Sequence, residues 1–560
     1  MNRLTFILLS AIILSFSCAE KSNPQPDPAS SDQELYINAQ IYTVNPSMPW
    51  AEAMLIEDGI IISIGSQFDV EQDADENAQV IDLNGRFVMP GIHDVHMHPL
   101  EASSSNFDFT ISDEVLNPEF YIDDILEASN AKPGNGWLLG WGHYIHTLTE
   151  AERNPKDILD DVSITRPIAI MEQTSHSLWV NSKALELAGI TADSENPTGG
   201  IIMRDENNEP NGILVDNAGN VLLDMVLTPT TESEKRDYDG MVEFGFPELA
   251  KFGITSFSDA RTYWKRNHHL TWNKLAQDGQ LTARANLGIW IYPTEDDDSQ
   301  IATIKTFYEN DDNDLLRTNQ IKAYMDGIVP NTTAAMNSDY KIDLFGEATN
   351  NGLNYLSQAR LEKYIRALEP LGYDFHIHAI GNRGIHEALN AIENAGSKNG
   401  RHRITHCEIV DAQDIARFKA LNVTADCQVA GDFTNPDQWF FNEEFIGATL
   451  SVNFVPIRTF LQEGTRITLS SDWDVSTLNP FVGMQNALTR APQNISLDAI
   501  VRAYTIDAAY VMRQEDKVGS LEVGKEADFI VLNQNIFEVS NSDISATTVI
   551  STYLQGEKVY

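Results

Sequence analysis

Three cysteines in 560 residues exclude a disulfide scaffold, because Cys18, Cys407 and Cys427 are too few to staple a small fold together. Cys407 and Cys427 are read as two buried thiols, the usual preference of unpaired cysteine. Positive charge is also scarce: 38 Lys+Arg face 82 Asp+Glu, a formal −44. A field of that sign repels phosphate backbones and anionic bilayers, which excludes nucleic acid as a partner, and it reads chiefly as a solvated surface. No apolar run after residue 17 is long enough to cross a bilayer. Two hydrolase signatures are missing as well. There is no G-x-S-x-G elbow and no H-E-x-x-H zinc helix, so serine-hydrolase and thermolysin-like chemistry lack their anchors. The stretch GSLEVGKE from Gly519 has phosphate-loop spacing, but Glu526 stands where Ser or Thr should bind magnesium.

What is present is a globular composition, 42% hydrophobic and 21% charged, enough for one enzyme-sized core. Met1, Asn2 and Arg3 precede LTFILLSAIILSFS, a basic start and an apolar core too short to span, so residues 1–17 read as a secretory signal. Residues 18–33 are a polar, Pro- and Ser-containing tether. A lipid on Cys18 is the expected link to a membrane, with Ser15 occupying the place where Leu is usual in a lipoprotein signal. The expected location is therefore exported, periplasmic or anchored at the outer membrane as a lipoprotein.

Residues 34–88 hold short β-rich runs, with Asp58-Gly59 as a hairpin turn, and residues 513–560 repeat the style, with Gln555-Gly556 as a turn. The two chain ends are expected to form one small composite β domain. Between them, residues 89–512 alternate apolar strands with helical stretches. Eight strand candidates are visible: FVMPGIHDV from Phe87, ITSFSDA from Ile254, ARANLGIWI from Ala283, QIKAYMDG from Gln320, YDFHIHAI from Tyr373, HRITHC from His402, NVTADCQ from Asn422 and RITLSSD from Arg466. Eight such units predict an α/β fold, a (β/α)8 TIM-type barrel. Ile385, Leu389 and Ile392, at i, i+4 and i+7, mark one helix. About 150 residues separate the first two strands, too many for a loop, so an insertion at about 100–250 is expected to wall or cover the barrel mouth.

The chemistry-bearing residues fall at strand ends. His96 and His98 close the first strand, and residues at i and i+2 on extended backbone point the same way. His378 ends strand five, His406 strand six and Asp472 strand eight, the pole where such barrels place their sites. Neutral imidazole and carboxylate suit zinc-like divalent ions. Lys322, on strand four, is a poor ligand as an ammonium, but a buried neutral amine that takes up carbon dioxide becomes a carbamate able to bridge two cations. The alternative for Lys322 is a buried ion pair with Asp326.

In this order the motifs PGIHDVHMH, IKAYMDG, HAIGN, RHRITH and SSD, with GWGHY, SHSLWVNSKAL and GSLEVGKEADFIVL, resemble the amidohydrolase superfamily. They are closest to its branch of metal-dependent hydrolases similar to N-substituted formamide deformylases, over residues 34–560. The resemblance implies metal ligation by His96, His98, Lys322, His378, His406 and Asp472, one or two divalent ions with zinc first, and carbamylation of Lys322. It departs at Asn382, where the family usually has Asp, and at His93, where a hydrophobic residue is usual. His176, Trp179, Asn181 and His143 are the candidates for touching substrate. His376 and Arg403 are expected to pack or support, and His268 and His269 to lie on the surface.

The expected function is hydrolysis of a non-peptide, amide-type C–N bond of a small molecule by a metal-activated water, with Asp472 moving the proton. The alternatives are a mononuclear ester or lactone hydrolase or a deaminase, and, in another class, an exported binding lipoprotein without catalysis. A deaminase is disfavoured because no Glu follows the HAIGN histidine. Oligomeric state is not written in the sequence.

Overall fold

The computed structural model describes residues 33–560 except 105, 113, 312–314, 346–348 and 432–438. The expected signal at residues 1–17, nearly all of the expected tether and Cys18 lie outside the described residues. Eight parallel strands form the barrel: β1 (Ile92–Met97), β2 (Ile254–Thr262), β3 (Arg284–Trp290), β4 (Leu316–Tyr324), β5 (Asp374–Ala379), β6 (Arg403–His406), β7 (Thr424–Gln428) and β8 (Ile467–Ser470). Each pairs with its chain neighbour, and β1 with β2. The seam between β8 and β1 is closed just beyond β8, where the Asp472 amide donates to the His96 carbonyl at 2.8 Å and the His98 amide to the Trp473 carbonyl at 2.5 Å.

Every residue of these strands is buried, as expected of parallel strands covered on both faces. The alternation separates two populations. Ile321, Ala323, Phe375, Ile377, Ile404, Ala425 and Leu469 belong to the main apolar core shared with the surrounding helices. Lys322, Tyr324, His376, His378, Arg403, Thr405 and Asp426 take the other face and fill the barrel interior with polar groups. On the helix Asn382–Ala395, Ile385, Leu389 and Ile392 are all buried.

The two chain ends build one sheet, in the order Glu557–Lys558, Val549–Leu554, Phe529–Leu532, Gln79–Pro90, Gln33–Tyr42, Ala53–Glu57, Ile60–Gly65. Asp58-Gly59 and Gln555-Gly556 both turn hairpins there, all four with positive φ. The segment with phosphate-loop spacing belongs to this domain: Lys525 Nζ donates to the Glu515 carbonyl and Ser520 Oγ, and Glu526 pairs with Arg284. Between β1 and β2 a second sheet of six strands is built from Phe109–Thr110, Leu138–His143, Ile168–Glu172, Ser177–Val180, Pro210–Asp216 and Gly200–Arg204. Its own apolar clusters lie on both faces. Cys407 and Cys427 are buried free thiols. Among the described residues, no helix is long and apolar enough to cross a membrane.

Candidate metal centre

Strand register puts the site together. Lys322 pairs with His376 and Tyr324 with His378 across β4 and β5, and Ala379 pairs with His406 across β5 and β6. His96 and His98 lie at and just beyond the end of β1. Closure of the barrel seam brings Asp472 against them: its Oδ1 is 3.1 Å from His96 Nε2 and 3.0 Å from His98 Nε2. Lys322 Nζ lies 3.3 Å from His96 Nδ1. The His406 ring centroid is 5.0 Å from that of His96 and 4.4 Å from that of His378. All six sequence-predicted ligands therefore gather at the C-terminal ends of β1, β4, β5, β6 and β8. His406 and Asp472 hold positive φ, 75° and 57°, a costly state for residues other than glycine that clusters at functional sites.

The electrostatics are those of a dry cluster. Burial pushes the imidazoles of His96, His378 and His406 well below the ordinary histidine range, and takes His98 down to about 4 with help from Arg261. Burial likewise lowers the Lys322 ammonium well below its usual value against the pull of Asp472, which favours the unprotonated amine. Burial opposes ionisation of Asp472, but His96 and His98 outweigh it and hold the carboxyl well below the usual range. Imidazoles and a carboxylate are donors that a divalent ion takes, and an amine pushed toward its unprotonated form is what a carbamate requires.

The pairing of these atoms fits an ion as well. Among the described residues, buried His98 Nδ1 and His378 Nδ1 have no hydrogen-bond partner, and His96 Nε2 meets only the Asp472 oxygen at 3.1 Å, although buried polar atoms almost always have one. The carboxylate oxygen and the two facing ring nitrogens of His96, His98 and Asp472 lie within 4.8 Å of one another, as do those of His96, His376 and Asp426. In the second group the side chains already satisfy each other: His376 Nε2 is 2.6 Å from His96 Nδ1, and Arg403 donates to His376 Nδ1 at 2.7 Å. Asp426 accepts from Thr405, Gln428, Thr468 and Ser470. His376 and Arg403 thus back His96 from inside the barrel. Asp326 does not pair with Lys322. Its carboxylate accepts from the amides of Ala335, Ile380 and Gly381 and fixes the loop after β5.

Above the ligands is a cavity of about 110 Å³, lined by His98, His378, His406 and Asp472 together with Tyr324, Arg261, Glu408, Thr174, His176 and Asn442. Ile328, Pro330, Ile380, Phe454 and Val475 supply its apolar wall. Tyr324 stacks on His378 with centroids 4.0 Å apart.

Of the four substrate candidates, only His176 lines this cavity. Its Nδ1 is 2.6 Å from Asp216 Oδ1, and Asp216 also accepts from Tyr355. Trp179 is wholly buried in the insertion, its indole donating to the Pro155 carbonyl. Asn181 caps the helix Ser182–Ala188, accepting from the Ala184 and Ile168 amides and donating to the Ser163 and Arg166 carbonyls. The alternation that aims His176 at the cavity does not extend to them, because Asn181 is spent on chain geometry and Trp179 on packing. His143 ends an insertion strand with its ring 6.3 Å from that of Trp179, fully buried and outside the cavity wall. His268 is buried against Tyr263 and His269 half-buried against Phe307, not on the surface, because their helix turns them toward aromatic rings.

Tyr324, Arg261 and Glu408 were missed. Tyr324 and Glu408 stand two residues beyond Lys322 and His406, and Arg261 lies near the end of β2, so the strand-end rule could have found all three. Arg261 donates to Glu101 at 3.1 Å. Burial, with Asp326 and Asp472 nearby, pushes the Glu408 carboxyl up to about 8.

A barrel with a His/Asp cluster at this pole defines a metal-dependent hydrolase. The model of the Amidohydrolase family matches residues 79–560, and the chain belongs to that family. It is similar to "Protein LONG AFTER FAR-RED 3" of Arabidopsis thaliana, 26% identical over 553 residues that cover 94% of this chain and 91% of that protein. It is also similar to N-substituted formamide deformylase of Arthrobacter pascens, 27% identical over 548 residues, covering 93% and 97%. Among solved structures, an uncharacterized metal-dependent hydrolase from Pyrococcus horikoshii OT3 shares the fold with a TM-score of 0.70 at 21% identity, covering 91% of this chain and 99% of that one.

Proposed function

We propose that this amidohydrolase cleaves a non-peptide, amide-type C–N bond of a small molecule. One or two divalent ions, zinc first, would be held by His96, His98, Lys322, His378, His406 and Asp472. The observation that carries this is the gathering of those six side chains at one barrel pole with two ring nitrogens, His98 Nδ1 and His378 Nδ1, left unpaired among the described residues. Similarity to a relative whose name gives N-substituted formamides as what it acts on adds support.

When bound, the metal supplies a more acidic water and a Lewis acid for the carbonyl oxygen. The neutral amine of Lys322 attacks the carbon of carbon dioxide and releases a proton, leaving a carbamate as the ligand. Asp472 takes the proton of the attacking water on its carboxylate and returns it to the leaving nitrogen. His176, engaged through Nδ1 with Asp216, leaves Nε2 for the substrate. The apolar wall of Ile328, Ile380, Phe454 and Val475 excludes bulk water and accepts a small ligand in place of a polymer. Export of the chain and a lipid on Cys18 belong to the same proposal.

One observation favours a second reading. His96, His98 and Asp472 alone bring three donor atoms within 4.8 Å, enough to start a mononuclear site, and a single ion suits an ester or lactone as well as an amide. Metal content per chain, measured on protein purified without added metal and on Lys322→Ala, separates the two. Near two equivalents falling to one or fewer in the variant is the expected result for a carbamate bridge. About one equivalent in both makes Lys322 structural and the site mononuclear.

A further inference from the structure

Glu408 is 95% buried in the cavity wall, two residues beyond His406. Its carboxyl has no hydrogen bond or ion pair among the described residues, unlike Asp326 and Asp426, whose oxygens are met by three backbone amides and by four side chains. A buried carboxyl with no donor is costly, and natural interiors rarely keep one. Ile380 and Phe454, which share the wall, offer it nothing. The single arginine of the wall, Arg261, is taken by Glu101. Among the described residues no free cationic donor faces this carboxyl, and a ligand can bring one. Charge-assisted bonds to a carboxylate are about twice as strong as neutral ones, and a chain of formal charge −44 draws cations toward its surface.

We propose that Glu408 is the specificity-determining residue of this site and selects amides that carry a second, cationic amino group. The inference rests on the amide-hydrolase reading above and adds to it the chemistry of the substrate's far end.

The test uses the metal-loaded enzyme and an isosteric pair, N-formylpentylamine and N-formyl-1,4-diaminobutane, which differ by a terminal methyl against an ammonium. The wild type is expected to prefer the diamine derivative by about tenfold or more in kcat/KM, expressed in KM, a discrimination of the size a paired buried charge provides. Glu408→Gln should reduce that preference and Glu408→Leu abolish or invert it, with metal content unchanged. An unchanged preference in folded, metal-loaded variants overturns the proposal while leaving amide hydrolysis standing. If neither amide is cleaved, calorimetric binding of 1,4-diaminobutane against pentylamine decides separately. Diamine binding that the Leu variant loses keeps the role of Glu408 although the amide reading has failed, and equal binding of the two amines to wild type and variant removes it.

Discussion

Two buried aspartates, one on each tier of the barrel interior, show how a site differs from the scaffold beneath it. On the floor, Asp426 is met by hydroxyl and amide donors from Thr405, Gln428, Thr468 and Ser470. At the mouth, Asp472 faces only the imidazoles of His96 and His98, with unpaired ring nitrogens around it. Both are buried, yet burial raises the pKa of Asp426 while the histidines drive that of Asp472 down. Complete pairing marks a group that fixes shape, and incomplete pairing marks one that waits for a ligand.

The sharpest way to break this comparison is to neutralise each aspartate. Asp472→Asn should reduce turnover by about 10²–10⁴-fold while leaving metal bound and the unfolding midpoint close to wild type. Retained activity would remove its proton-transfer role. Asp426→Ala should behave in the opposite way, losing about 3 kcal/mol of stability because its donors are left unpaired, with turnover per folded molecule changing little. Urea unfolding monitored beside activity reads both, and a stable but inactive Asp426→Ala would place the floor in the catalytic machinery.

A smaller effect extends the contrast to histidines outside the mouth. His143 is buried with neither ring nitrogen paired among the described residues, and burial lowers its pKa to about 3, against roughly 6.5 in an unfolded chain. Between those values the unfolded state binds the extra proton, so the His143 contribution is complete above about pH 6.5 and is lost as pH falls toward 3. His143→Phe should remove up to about one proton from the slope of stability against pH in that window, worth about 1 kcal/mol at pH 5.5. Unfolding free energies measured at several pH values check the slope, and an unchanged slope would mean that the ring is already paired or solvated.

Much of this molecule is legible in its sequence because barrel strands are local. Seven of the eight apolar runs hold a strand of the barrel, and the first is divided, residues 87–90 ending a strand of the small sheet and Ile92 opening the barrel. Asp58-Gly59 and Gln555-Gly556 turn where their dipeptides say, and the strand-end residues from His96 to Asp472 meet at one pole. What spacing cannot show is how neighbouring strands share the interior. Asp426 gives no sign in TADCQ that four side chains will surround it, since three of them come from other strands. Trp179 and Asn181 share a motif with His176, and only the packing of the insertion shows that they are consumed as core and cap. Glu408 was hidden by the histidine before it, although the same strand-end rule reaches it. His268 was misread because a polar run conceals a helix whose inner face meets Tyr263.

The barrel seam has a consequence in time. His98 and Asp472 stand 374 residues apart in the chain and meet only where β8 returns to β1. A growing chain thus carries the first two histidines through most of its synthesis with no aspartate to meet them. For the proposed ion site, completion is thereby deferred until the circle is closed.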